Sequence, residues 1–121
     1  MVDRLTVFLD LATLVSESHC GFWLADWCAF ATGEDPALRY RGTSYPTDDV
    51  LGIVSTIALD AGLERVVVPV RGDVGVIEIS GETFCAIYAG RRWMLLAERG
   101  LTGILDRFVT VRRAWRVCLR P

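Results

Sequence analysis

The chain has 121 residues, of which 52% are hydrophobic, and a formal net charge of −2. A chain this long forms one domain, buries about 65% of its unfolded surface and is too apolar to be disordered. No apolar run reaches the roughly 18 residues that would span a bilayer, and the overall charge argues against a nucleic-acid partner.

Met1-Val2-Asp3-Arg4 lacks the basic head and cleavage site of a signal peptide, so synthesis and initial residence in a cytoplasm are expected. Leu5 to Val15 places apolar residues at helical spacing and predicts a short amphipathic helix. Ser16-Glu17-Ser18 breaks it and offers Ser16 or Ser18 as the next cap. Cys20 to Ala31 is apolar almost all round, apart from Asp26, as in a helix buried in a core. Thr32-Gly33 and Pro36 end that helix, and 34–46 forms a loop. Thr47-Asp48-Asp49 caps a third helix, with apolar residues from Val50 to Ala61 at helical spacing and Gly62 as its close.

The period then changes. Val66-Val67-Val68 is β-branched and Arg71-Gly72-Asp73 is a turn. Val74–Ile79, Thr83–Ala89 and Arg92–Ala97 read as strands joined by short turns, which implies an antiparallel meander. Gly100 and Gly103 mark a loop, and Phe108–Val111 and Ala114–Leu119 add two strands at the sheet edge. Helices first and strands last give an α+β class, with the helices on one face of the sheet.

Cys20 opens the apolar helix, where the positive end of the helix dipole lowers a thiol pKa and favours a thiolate. A cysteine nucleophile also needs a base, itself oriented by a third group. The chain has one histidine, His19, beside Cys20 in sequence, and no asparagine or glutamine. Adjacent helical residues do not face each other, so His19 is a poor base for Cys20. Glu82 is a carboxylate alternative, badly matched to a thiol. Four scattered cysteines, Cys20, Cys28, Cys85 and Cys118, lack CxxC spacing, so free thiols are expected rather than disulfides or a metal site. No cofactor is implied.

The order of elements resembles the NlpC-type branch of the papain-like cysteine peptidases, the cell-wall endopeptidases of bacteria and their phages. Cys20-Gly21-Phe22 stands where that family has its cysteine, and Gly72-Asp73-Val74 matches its first strand. Phe84-Cys85-Ala86-Ile87-Tyr88-Ala89-Gly90 matches its His-Val-Gly-Ile-Tyr-x-Gly strand, so Phe84 stands at the histidine position. The chain is more similar still to small phage and prophage proteins of this superfamily. Ala25-Asp26-Trp27, Asp35-Pro36, Arg41-Gly42 through Thr47, and Ala114 to Val117 carry that similarity.

The resemblance implies a papain-like NlpC-type fold over a single domain, 1–121. It also implies a degenerate site in which Cys20 is at most a residual nucleophile and Phe84 shields the thiol from water. Such proteins are encoded among tail-assembly genes. The implied role is therefore a structural component or assembly factor of a phage tail tip, made in the host cytoplasm and ending in the virion, with hub or distal tail proteins as partners. The alternatives are an active peptidoglycan endopeptidase and a small cytosolic binding or immunity-type protein.

Charge is uneven. Residues 1–64 hold 3 Arg and 10 acids, and 65–121 hold 10 Arg and 5 acids. Mutual attraction of the halves is one reading; a basic docking face centred on Arg112, Arg113 and Arg116, flanked by Trp115, is the other. Trp23, Trp27, Trp93 and Trp115 are read as core or interface anchors, with carbohydrate stacking as the minority role. Asp26, in an apolar helix, calls for an arginine or backbone partner.

Overall fold

The computed structural model describes residues 3–11, 20–41, 49–97 and 100–117. Within them lie three α-helices and a five-stranded antiparallel sheet, an α+β arrangement.

Helix α1 spans Arg4–Asp10. Asp3 caps it, its carboxylate accepting from the Leu5 and Thr6 amides and from the Thr6 hydroxyl. Residues 12–19, with the expected caps Ser16 and Ser18, lie outside the described residues. Helix α2 spans Cys20–Thr32 and buries Trp23, Leu24, Ala25, Trp27, Cys28 and Ala31, as its largely apolar sequence requires, with Asp26 exposed. Gly33, at φ 85°, closes it by donating its amide to the Ala29 carbonyl. The expected loop after α2 contains a short 3₁₀ turn at Leu38–Tyr40. Helix α3 spans Val50–Asp60, capped by the Asp49 carboxylate on the Gly52 amide; Thr47 and Asp48 lie outside the described residues.

The strands are β1 Val74–Ile79, β2 Glu82–Tyr88, β3 Arg92–Ala97, β4 Gly100–Leu105 and β5 Thr110–Trp115, in the spatial order β4-β3-β2-β1-β5. The β1–β2 and β2–β3 turns each place two successive residues at positive φ, Ser80-Gly81 and Gly90-Arg91. That geometry matches the twist of a two-residue hairpin. β5 leaves the meander and returns beside β1, with a bulge opposite Val76 and Ile77.

The β-branched Val66–Val68 lies outside the strands: Val67 and Val68 are exposed, and the neighbouring Arg65 makes one bridge to Trp115. Two expectations change. Gly100 and Gly103 do not mark a loop but belong to β4. The two expected edge strands are one bulged strand, preceded by a 3₁₀ turn at Asp106–Phe108, and Cys118 and Leu119 lie outside the described residues.

Alternation along the strands sends side chains to two clusters. Val74, Val76, Cys85, Ile87 and Trp115 pack with α1, α2 and α3. Ile77, Ala86, Trp93, Leu95 and Ala114 form the other cluster, which holds no helical residue.

Candidate functional site

Cys20 is the first residue of α2, the placement expected for an NlpC-type cysteine. Its side chain and all of His19 lie outside the described residues. The sheet residues near α2 are fixed by the alternation of β2. Cys85 and Ile87 share the cluster of Trp27 and Cys28. Phe84 instead packs with Ile77, Ala86 and Trp93, in the cluster without any residue of α2. Phe84 thus packs on the face of β2 that carries no α2 residue, while the Cys20 thiol it was expected to shield lies outside the described residues. A one-residue step along a strand reverses the face, and on α2's side of β2 the buried neighbour of Phe84 is a second cysteine. Glu82 is exposed at the start of β2.

The motif residues that carry the resemblance are bonded to one another. The Trp27 indole Nε1 donates to the Gly72 carbonyl at 2.7 Å, in the interior. The Gly72 amide donates to the Tyr88 carbonyl at 2.8 Å. Asp73 is completely buried, and its carboxylate accepts from the Val70 amide and from Arg116 Nε. Arg41 donates through Nε to Asp35 and through Nη2 to Asp26, both at 2.7 Å, with its guanidinium 5.2 Å from the Phe22 ring centre. The hydrogen bond to Asp35, with the one to Asp26 behind it, raises the Arg41 pKa. Asp26 thus has its arginine, but on the surface: its side chain is half exposed.

Sequence reasoning missed Asp73 as the buried acid. The available signal was an aspartate immediately before an apolar strand, matched by an arginine in the apolar run Ala114 to Val117.

The proposed docking arginines are engaged within the chain. Arg112 pairs with Glu78 at 2.8 Å, Arg113 donates to the Ser55 hydroxyl at 2.9 Å, and Arg116 holds Asp73. Trp115 is 2% exposed in the helix-side core, so it flanks no docking surface. Its position opposite Val74 in the β1–β5 ladder turns the indole inward. The acidic and basic halves meet where Arg71 bonds Asp3, whereas Arg112–Glu78 and Arg116–Asp73 join residues within the basic half.

A cleft of about 740 Å³ lies between the C-terminal ends of α2 and α3, bordered by Cys28, Glu34, Asp35, Arg39, Asp60 and Glu64. Its α2 wall, Cys28 to Thr32, lies about 12 to 18 Å along the helix from Cys20, at 1.5 Å rise per residue. Two of the cleft's charged groups are tied to each other: Arg39 Nη1 donates to Asp60 Oδ2 at 2.7 Å, where the Tyr40 hydroxyl also donates at 2.8 Å. The Cys28 thiol at its floor is pushed up to about 12, by burial and then by the Asp35 charge, so it is not a nucleophile at neutral pH. Among the described residues no group of three or more His, Cys, Asp or Glu is placed to hold a metal, and no helix is long and apolar enough to cross a membrane. The arrangement can brace a fold.

A family model described as a domain of unknown function, DUF6950, matches residues 12–117. The chain belongs to the DUF6950 family. No curated protein and no solved structure matches it. The DUF6950 match takes in all of α2, the sheet and Arg116, and so covers every bonded motif described above.

Proposed function

We propose that this DUF6950 chain is a structural component or assembly factor of a phage tail tip, on an NlpC-like fold that no longer performs catalysis. The observation that carries the non-catalytic part is the use of the motif residues. Trp27 with Gly72, Asp73 with Arg116, and Asp26 and Asp35 with Arg41 are spent on cross-links between segments. The chain's one histidine, His19, is adjacent to Cys20 in sequence. The tail-tip placement rests on the resemblance of these same motifs to small phage proteins.

The competing reading is a peptidoglycan endopeptidase with Cys20 as nucleophile. In its favour, Cys20 opens a 13-residue helix, whose positive end stabilises a thiolate.

Two measurements separate the readings. The purified chain is incubated with peptidoglycan and with stem peptides, as wild type and as Cys20→Ala. Separately, particles from a phage encoding the chain are analysed for its presence, with and without its gene. The expected result is no cleavage, the chain found in tails, and incomplete tails when the gene is removed. Cleavage abolished by Cys20→Ala would establish the enzyme. Normal tails without the chain would favour a cytosolic binding protein.

A further inference from the structure

The two edges of the sheet are finished differently. On the β5 side the residues before β1 add a further pairing: Arg116 donates its amide to the Glu64 carbonyl at 2.8 Å, Val66 donates to Ala114 at 2.9 Å, and Arg65 bridges Trp115. On the other side β4 is outermost, and among the described residues no segment pairs with its outer side.

An edge strand presents alternate N–H and C=O groups, and another extended backbone is what satisfies them. Natural edges are blunted by lysine, proline or an inward charge. Gly100-Leu101-Thr102-Gly103-Ile104-Leu105 contains none of these. Leu101 is 38% exposed and Thr102 is exposed. The helices make their main contacts with β1, β2 and β5, so half-buried Met94 and Leu105 extend an apolar surface beyond the helical layer to this edge.

We propose that β4 pairs antiparallel with β4 of a second copy, joining two five-stranded sheets into one. A two-fold axis normal to the sheet keeps each residue on its own face, so the register must place residues of like face opposite each other. Centring the axis at Gly103 does this with matched side chains. Leu101 then lies opposite Leu105 on the helix side, and Thr102 opposite Ile104 on the other side. Gly103 meets itself at the axis. A Cβ there would lie 2.9 Å from Met94 Sδ, so the glycine leaves room for the methionine as well as for the second backbone. This self-match favours a second copy over an unrelated strand.

A six-residue edge is about 20 Å long. Even with the flanking leucines it buries less than the 1,200–2,000 Å² of a stable standard interface. The dimer is therefore weak and concentration-dependent.

The test is sedimentation of the full chain between about 1 μM and about 1 mM, the span in which so small an interface dissociates. A monomer–dimer equilibrium is expected, with hydrogen exchange at 100–105 slowing as dimer forms and exchange at 110–115 unchanged. Leu101→Lys and Thr102→Lys, both at exposed positions, are expected to keep the native circular dichroism and to weaken the dimer at least about tenfold, because each sets a lysine against an apolar side chain of the other copy, Leu105 or Ile104, and charges the edge. A chain that stays monomeric at every concentration overturns the proposal. So does a dimer that survives both substitutions in folded protein. The outcome is independent of the tail-tip reading.

Discussion

Arg116 Nε donates to both carboxylate oxygens of Asp73, at 3.0 and 3.1 Å. The acid is completely buried, while about a third of the arginine side chain reaches solvent. The pair ties the segment after β5 to the entry of β1, and the Val70 amide completes it from the preceding turn. The two partners are therefore not equivalent. Removing one leaves a charge in the interior; removing the other leaves a charge that water already reaches.

That asymmetry sets the first prediction. Arg116→Ala strands the Asp73 carboxylate and is expected to cost about 3–5 kcal/mol, the range for breaking a buried ion pair from one side. Asp73→Asn keeps the shape and one acceptor for the Val70 amide, and is expected to cost about 1–2 kcal/mol. Urea unfolding of both variants checks the order. A larger loss for Asp73→Asn would show that the acid's bond to the Val70 turn, rather than the arginine, holds this junction.

Trp27 carries the second prediction. Its Nε1 satisfies the Gly72 carbonyl inside the protein, and no part of the residue is exposed. Trp27→Phe removes the donor and part of the ring. The stranded carbonyl alone is expected to cost about 1–3 kcal/mol, with lost packing added to it. The measurement is again denaturant unfolding, with hydrogen exchange of the Gly72 and Tyr88 amides as the local readout. Unchanged exchange at both would separate this bond from the β1–β2 junction.

How far the sequence reached depended on the kind of physics involved. β1 and β3 were legible to the residue, because apolar runs bounded by glycine turns admit few alternatives. β4 was not, because its two glycines read as a loop. In the fold Gly100 sits at φ 121° at the start of the strand, and Gly103 makes room for Met94. Both reasons are tertiary. The β-branched Val66–Val68 shows the converse: such residues suit a strand, yet Val67 and Val68 stand exposed beside a single bridge. At the site, Asp26 has the arginine partner expected of it, but it is half exposed, so the burial cost that suggested the pair is not what requires it. The face on which Phe84 lies was not foreseeable, since it turns on a one-residue register that the NlpC-like pattern does not fix.

Gly75 gives the third prediction. It sits in β1 between Ala86 and Ala114, under the Trp93 indole. A Cβ there would lie 2.9 Å from Trp93 Cη2 and 3.0 Å from the Arg113 carbonyl oxygen. The backbone oxygen cannot move away as a flexible side chain would. Gly75→Ala is therefore expected to cost about 1–3 kcal/mol through overpacking. The near-ultraviolet signal of Trp93 should change with it. An unchanged spectrum with unchanged stability would mean that the sheet relaxes around this position.

Cys28 gives the last prediction, and its sign follows from linkage. Burial first, and the Asp35 charge second, push the folded thiol from its ordinary 9.0 to about 12. Well below pH 9.0 the thiol is protonated in both states and contributes no pH dependence. Between pH 9.0 and about 12 the unfolded chain loses this proton while the folded chain keeps it. The unfolded state is favoured as pH rises through that window, and stability falls. One unit above the ordinary value, the loss amounts to about 1 kcal/mol. Comparing the urea midpoints of wild type and Cys28→Ala at pH 8 and pH 10 isolates the effect, because the tyrosines and the other thiols are common to both chains. Wild type is expected to lose more stability than the variant by about that amount. In the same protein at pH 8, alkylation of Cys28 should proceed only as fast as the chain opens. Rapid labelling of Cys28 in folded protein, or parallel pH profiles for the two chains, would show that the thiol at the cleft floor is open to water and ionises normally.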